Sequence, residues 1–341
     1  MAKLDIKDFT LEMLKKELGQ MGEPAYRTAQ IFKWLYKRGI REFNQMTDLS
    51  EELREKLGQK FYISEIKLEK SEKSKDKTEK FLFQLEDGNF VETVLIPSEK
   101  RNTVCVSSQV GCKFACKFCA SGKAGFIRDL KAGEIVNQVL FIKDNLKIDI
   151  DNIVFMGIGE PLDNYDNVAN AIRIFNEKEG LGIGARKITI STCGIVPAIK
   201  KLEDIGLQIE LSVSLHAPND KLRDIMVPIN KKYPLKDLGQ ALRHYFEKTK
   251  RIVTLEYVLV KGLNDTPELA GELAKLAKHL NSKVNLIGIN RIEQGGYEPS
   301  PAVNINKFKE ILIKKGAKVT LRQSRGSDIS AACGQLRAKS L

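Results

Sequence analysis

The chain has 341 residues, 42% of them hydrophobic, and carries 56 Lys+Arg against 44 Asp+Glu for a net charge of +12. That length provides for one large domain with an appendage, or two domains, around a substantial core. No apolar run approaches the roughly 20 residues that span a bilayer, and the charged start "MAKLDIKDFTLEMLKKELG" lacks the apolar segment of a secretory signal, so a cytoplasmic protein without a membrane anchor is expected. The positive balance suits a polyanionic partner, because Lys and Arg on phosphates release counterions; it fits a merely Lys-rich soluble surface as well.

Residues 1–70 read as a helical unit. Leu11, Leu14 and Leu18 follow helical spacing and Gly19 is a stop. Pro24 opens a second helix that carries Ile31, Trp34 and Leu35 and closes at Gly39. Ser50 before Glu51 and Glu52 is an N-cap with acids in the first turn. Trp34, the single tryptophan, is a core residue on this reading.

Residues 71–100 form a connection. The run from Lys70 to Lys80, "KSEKSKDKTEK", is a linker or the exposed edge of a hairpin. In "KFLFQLEDGNFVETVLIP" two alternating apolar segments flank Asp87-Gly88, which predicts a β-hairpin.

Over residues 101–341 short β-rich runs alternate with helical stretches. They are "TVCVSS", "NIVFMG", "RKITIS", "LQIELSVSL", "IVTLEYVLV", "KVNLIGI" and "KVTLR". Strands alternating with helices of this length predict βαβ units and a parallel sheet. The series is too long for a small flavodoxin-like sheet, and a full or partial β/α barrel fits, with its chemistry at the C-terminal ends of the strands.

"GCKFACKFCASG" follows the first of these strands, where a barrel places its active site. Cys112, Cys116 and Cys119 have the spacing C-x3-C-x2-C, and glycines around them allow a tight loop. In the cytoplasm such thiols are reduced, so the cluster points to metal or redox chemistry. A structural zinc site needs a fourth ligand from a second CxxC or a His pair. The three histidines, His216, His244 and His279, are isolated. Three close thiolates favour an iron–sulfur cluster with one iron left open to a further ligand.

The C-x3-C-x2-C motif with Phe118 before the last cysteine resembles the radical S-adenosylmethionine (radical SAM) superfamily. The resemblance implies a [4Fe-4S] cluster whose open iron binds S-adenosylmethionine. It also implies reductive cleavage to a 5′-deoxyadenosyl radical, an electron donor such as flavodoxin or ferredoxin, and a β6/α6 partial barrel. "VETVLIP", "FMGIGEPLDNYDNV", "RKITISTCGIVP", "LSVSLHAPNDKLRDIMVPINKKYPL" and "RGSDISAACGQL" narrow it. Together they resemble the RlmN-type adenosine C2 methyltransferases, over about Val91 to Leu336. That family acts on an adenosine of the peptidyl-transferase centre of 23S rRNA and, in some members, on tRNA. Its accessory domain, implicated in RNA recognition, matches the helical N-terminal unit.

An aromatic C2–H carbon is not nucleophilic and cannot take a methyl group directly from a sulfonium. The resemblance implies that Cys333 is methylated first and that its methyl group, once radical, adds to C2 of adenine. Cys105 then attacks the sulfur of Cys333 and frees the product as a disulfide forms. Glu92 matches the base that removes the C2 proton. Covalent intermediates of this kind divide one hard step into easier ones. Read alone, Cys105 is a core thiol, Cys333 a small helix residue and Glu92 a solvent-facing strand residue. The family match also places Gly159, Glu160, Ser191, Ser214, Leu215, His216 and Asn290 around S-adenosylmethionine, all at or just beyond strand ends. Cys193 is assigned no role. Arg27, Lys33, Lys37 and the Lys70–Lys80 run are candidate RNA contacts, and nothing suggests more than a monomer. The C8-methylating Cfr-type branch of the family is the neighbouring alternative, and a non-catalytic, zinc-stabilised RNA-binding module the remote one.

Overall fold

The computed structural model describes residues 3–123, 125–290 and 296–337. Its centre is a ten-stranded sheet. In chain order the strands are β1 (Lys67–Lys73), β2 (Glu79–Gln84), β3 (Phe90–Ser98), β4 (Arg101–Cys105) and β5 (Asn152–Phe155). β6 (Ile188–Thr192), β7 (Glu210–Ser214), β8 (Thr254–Leu259), β9 (Lys283–Gly288) and β10 (Lys318–Arg322) follow. Strands lie beside their sequence neighbours throughout, with β1 at one end and β10 at the other. β4 to β10 are parallel, and β1 to β4 pair antiparallel.

Helices connect the parallel strands. α4 (Ala132–Leu146) leads from β4 to β5 and α5 (Tyr165–Asn176) from β5 to β6. α6 (Val196–Leu202) precedes β7, α8 (Leu235–Thr249) precedes β8, α9 (Pro267–His279) precedes β9 and α10 (Ala302–Lys314) precedes β10. Each lays an apolar stripe on the sheet, as Ile135, Val136, Val139 and Ile142 of α4 do at three- and four-residue spacing. Inside the sheet, Val104, Ile153, Ile188, Leu211, Leu255 and Val284 are fully buried. Each such side chain contributes about 1.5–3 kcal/mol of hydrophobic stabilisation. A helix not expected from the periodicity, α7 (Asp220–Met226), lies between β7 and α8 and is capped by Asn219.

The hairpin at Asp87-Gly88 is β2–β3. Gly88 holds φ +83 and the Asp87 carboxylate accepts from the Asn89 backbone. The polar run from Lys70 to Lys80 covers the second half of strand β1, the β1–β2 turn and the start of β2; β1 pairs to β2 and is exposed along nearly its whole length. Its lysines suit an edge strand, because charge deters further pairing.

The N-terminal unit contains α1 (Leu11–Gln20), α2 (Tyr26–Phe32, continued by a wider turn to Lys37) and α3 (Glu51–Lys60). A two-strand parallel pair, Leu4–Asp5 with Phe61–Tyr62, ties its ends together. Thr10 caps α1 and Ser50 caps α3. Trp34 is nearly buried and donates to Asp48 at 2.5 Å. The unit shares one core with the sheet domain. Polar contacts fix the seam: the backbone of Gly133, at the start of α4, donates to Asp8 at 2.8 Å, and Lys7 Nζ reaches Ser64 O and Asn137 Oδ1, each at 2.8 Å.

Candidate active site

The cysteine loop hangs from the C-terminal end of β4. A small hairpin, Gln109–Gly111 with Phe126–Asp129, brackets it. Gly111 is at φ +77, and a Cβ there would sit 1.9 Å from the carbonyl oxygen of Gly125, so only glycine fits. Cys112 N donates to that oxygen at 2.7 Å, Cys119 N to Cys116 O at 3.1 Å, and a short helix, Ala120–Lys123, follows.

Cys112, Cys116 and Cys119 open on one pocket at the C-terminal ends of the parallel strands, enclosing about 1000 Å³ with its mouth. Burial pushes the Cys112 thiol up to about 12 and the Cys116 thiol above the ordinary range, and the other cysteines add repulsion. Among the described residues no three such side chains converge closely enough to hold a single metal ion; three thiolates spread around one pocket would need a larger cationic body between them, which suits an iron–sulfur cluster.

The strand ends supply the rest of the wall. Gly157 and Gly159 follow β5, Ser191 lies in β6, Ser214 ends β7, Asn290 follows β9 and Arg322 ends β10. Gly159 is at φ +103, and a Cβ would stand 2.6 Å from Cβ of Gln109. Glu160 is buried. One carboxylate oxygen accepts from Leu162 N at 3.0 Å and the other from Cys193 N at 2.7 Å, while burial raises its pKa. Glu256, a second buried carboxylate on the wall, accepts from Asn285 at 2.8 Å. Burial raises the pKa of both carboxylates, and a ligand bearing positive charge, as the ammonium and sulfonium of S-adenosylmethionine do, would offset that cost.

His216 has φ +58, and its ring meets Phe118 edge-on at 4.4 Å. Its Nδ1 accepts from the Val258 backbone at 3.1 Å. Burial and, secondly, the charge of Arg223 lower its pKa to about 3, so the ring is neutral. Leu215 does not line the pocket; its backbone joins β8 through Glu256 O at 3.0 Å. Arg223 on α7, which sequence reasoning missed, is fully buried behind the pocket. It donates to Cys193 O at 2.7 Å, Leu215 O at 3.2 Å, Ser214 O at 3.3 Å and Asn230 Oδ1 at 2.8 Å. Cys193, given no role from sequence, lines the pocket and carries two of these contacts on its backbone.

Cys333 lies in the loop after β10 and lines the main pocket and a smaller cavity beside it. Cys105, at the end of β4, lines the smaller one. Neither is disulfide-bonded. Asn290 donates to Cys333 O at 3.3 Å, and Gly334 O accepts from Ala120 N at 2.7 Å, which docks the loop on the cysteine loop. Burial, then the neighbouring Cys333, pushes Cys105 up to about 12, opposed by Arg322. Glu92 is not the solvent-facing residue its strand position suggests. It is 6% exposed, pairs with Lys80 Nζ at 3.2 Å, accepts from Arg337 N at 2.6 Å, and lines neither cavity. Two residues along β3 from it, Val94 pairs with Cys105 across the ladder.

Residues 106–277 match the model of the radical SAM superfamily, and residues 4–63 match that of the ribosomal RNA large subunit methyltransferase N-terminal domain. The chain is 47% identical to a probable dual-specificity RNA methyltransferase RlmN of Clostridium novyi, over 98% of this chain and 97% of that protein. It is 49% identical to the protein of the same name from Thermoanaerobacter sp. strain X514, over 99% and 98%. The chain belongs to the RlmN family of radical SAM methyltransferases. A crystal structure of a radical SAM methyltransferase from Sphaerobacter thermophilus superposes on this RlmN-family chain with a TM-score of 0.92. It is 43% identical and covers 98% of this chain and 100% of its own. The expected fold is therefore the observed one, and the family's cofactors are a [4Fe-4S] cluster and S-adenosylmethionine. Membership sets aside the non-catalytic zinc module. Among the described residues no helix is long and apolar enough to cross a membrane.

Proposed function

We propose that this chain methylates C2 of an adenosine in RNA, with the peptidyl-transferase-centre adenosine of 23S rRNA as substrate and tRNA as a second one. Its RlmN relatives are named as dual-specificity RNA methyltransferases, and the N-terminal match is to a ribosomal RNA methyltransferase domain. The observation that carries the reading is the shared cavity of Cys105 and Cys333, next to the pocket of the three cysteines.

Cys112, Cys116 and Cys119 would hold the cluster. Gly159, Glu160, Ser191, Ser214, His216 and Asn290 would form the S-adenosylmethionine site, with Leu215 acting through its backbone. The cluster and S-adenosylmethionine together would supply a methyl donor, a hydrogen-abstracting adenosyl radical and an acceptor for the odd electron left on the adduct.

The chain's own residues do the rest. Cys333 carries the methyl group into bonding distance of the base, which a sulfonium alone cannot achieve at an aromatic carbon. Asn290 holds the Cys333 backbone at the junction of both cavities. Glu92, whose burial raises its pKa above that of an ordinary carboxylate, is the base for the C2 proton. Reaching the base requires exchange of its Lys80 partner. Cys105 then attacks the sulfur of Cys333. The S–C bond to the product breaks, its electron pair stays on carbon, and a proton completes the methyl group. The Cys105–Cys333 disulfide is opened by an external reductant.

Mass spectrometry of RNA treated with the enzyme tests this directly. A methyl group on C2 is expected; a methyl group on C8 would move the chain to the Cfr-type activity. Cys333→Ala must abolish transfer, and Cys105→Ala must accumulate protein joined to RNA. Turnover by Cys333→Ala would end the methyl-carrier mechanism.

A further inference from the structure

Beside the thiol cavity a broad groove runs between the β1–β2 turn, the β3–β4 turn and the loop after β10. Its walls carry Lys75, Lys77, Lys100, Arg101 and Arg325, with Asp76 and Glu99 as the acids. All five cations are exposed. Among the described residues none of the five is ion-paired with a carboxylate, whereas Lys70 and Lys80 of the same hairpin are taken up by Glu72 and Glu92.

Asp76 does not cancel this field in the usual way. One of its carboxylate oxygens accepts from Thr78 N and the other from Gly326 N, each at 3.0 Å. Its charge is spent on backbone donors, and it clamps the β1–β2 turn to the loop bearing Arg325. Asp328 repeats the device, accepting from Ser74 Oγ at 2.6 Å and Lys75 N at 3.3 Å. Lys75, Lys77 and Arg325 are thus held on one connected frame.

Arg325 lines both this groove and the cavity of Cys105 and Cys333. A strand whose base entered that cavity would carry its neighbouring phosphates along the groove. We propose that the groove is the phosphate track for the RNA nucleotides flanking the target adenosine; the inference rests on the RNA-methylation reading above. The contacts would be to phosphates, so they position the strand and carry no sequence preference.

The test measures binding of a short single-stranded RNA with a central adenosine to the holoenzyme across a range of salt. Lys100→Ala with Arg101→Ala, on the β3–β4 turn, should weaken binding severalfold at low salt. The slope of log K against log salt should fall by roughly 0.7 to 1 for each cation removed. The exchange Lys100→Arg with Arg101→Lys should keep the native slope, and so should Lys275→Ala with Lys307→Ala on the outer helices. An unchanged slope in the first variant overturns the groove, as does an equal loss in either control pair. Methylation by the first variant at saturating RNA is read separately. RNA binding with the predicted slopes but no methylated adenosine from the native enzyme would overturn the methylation reading and leave the groove as an RNA site.

Discussion

Arg223 is fully buried, yet its guanidinium donates to the carbonyl oxygen of Cys193 at 2.7 Å. Among the described residues no carboxylate pairs with it directly. Asn230 links it to Asp220 and Asp224, accepting from Arg223 at 2.8 Å and donating to the two acids at 2.9 and 2.7 Å. A buried cation hydrogen-bonded to three carbonyls at the ends of two neighbouring strands sets the spacing of those ends, and with it the cofactor pocket.

Arg223→Leu should therefore destabilise the protein by about 3–5 kcal/mol, because it strands buried carbonyls and the relay behind them. Arg223→Lys should recover only part of this, since one ammonium cannot serve four acceptors in a plane. Denaturant midpoints check the stability. Calorimetric titration with S-adenosylmethionine checks the pocket, where weakened binding is expected for both variants.

Gly159→Ala is expected to lose more than tenfold in S-adenosylmethionine affinity, because φ +103 and a Cβ 2.6 Å from Gln109 force the turn to move. Gly182→Ala is the matched control. Gly182 is at φ +66 but a Cβ there meets nothing within 4 Å, so it carries only the conformational cost of about 1–2 kcal/mol. Equal affinities in the two variants would show that the close approach to Gln109 has no part in forming the pocket.

Among the described residues Arg322 is the one cation lining both cavities, and its own pKa is raised, first by Cys333. It offsets the burial that keeps the Cys105 thiol protonated at neutral pH. Arg322→Gln should slow the release step and accumulate protein–RNA adduct, with Arg322→Lys intermediate. Gel analysis of adduct over time, at pH 7 and pH 9, reads this. The accumulation should shrink at the higher pH, where more thiolate forms without help.

His216 supplies a pH dependence of stability. Its folded pKa, about 3, lies below the unfolded value near 6.5. The unfolded chain thus binds a proton that the folded chain refuses, and stability falls as pH drops below 6.5. Between pH 6.5 and 5.5 the loss from this group should be about 1 kcal/mol. His216→Asn, which keeps an acceptor for the Val258 N–H, should flatten that slope in denaturant titrations. An identical slope in the variant would assign the acid sensitivity elsewhere.

The parallel strands were legible because each is a short apolar run between helical stretches, and the β2–β3 hairpin because Asp-Gly demands its turn. The cysteine loop was legible from spacing alone. β1 was harder to read, since an edge strand of Lys, Glu and Ser buries neither face and leaves no alternation. Arg223 was hidden for the opposite reason: an arginine in a short polar helix reads as surface, and only the convergence of carbonyls from two strand ends makes its burial tolerable. Glu92 misled through its pattern, because the segment that covers it, at Arg337, lies 245 positions further along the chain.

The Ser74–Asp328 hydrogen bond spans 254 residues. Closing so long a loop costs little more than closing one half its length, because the entropy grows only with the logarithm. The order of events is constrained all the same. The thiol cavity needs β4 from the early part of the sheet and the loop after its last strand, so it cannot form on a partly synthesised chain. The cysteine loop, wholly local in sequence, can fold well before. A growing chain could thus build its cysteine loop while still lacking the thiol proposed to carry the methyl group, and the two parts of the site come together only when the sheet is complete.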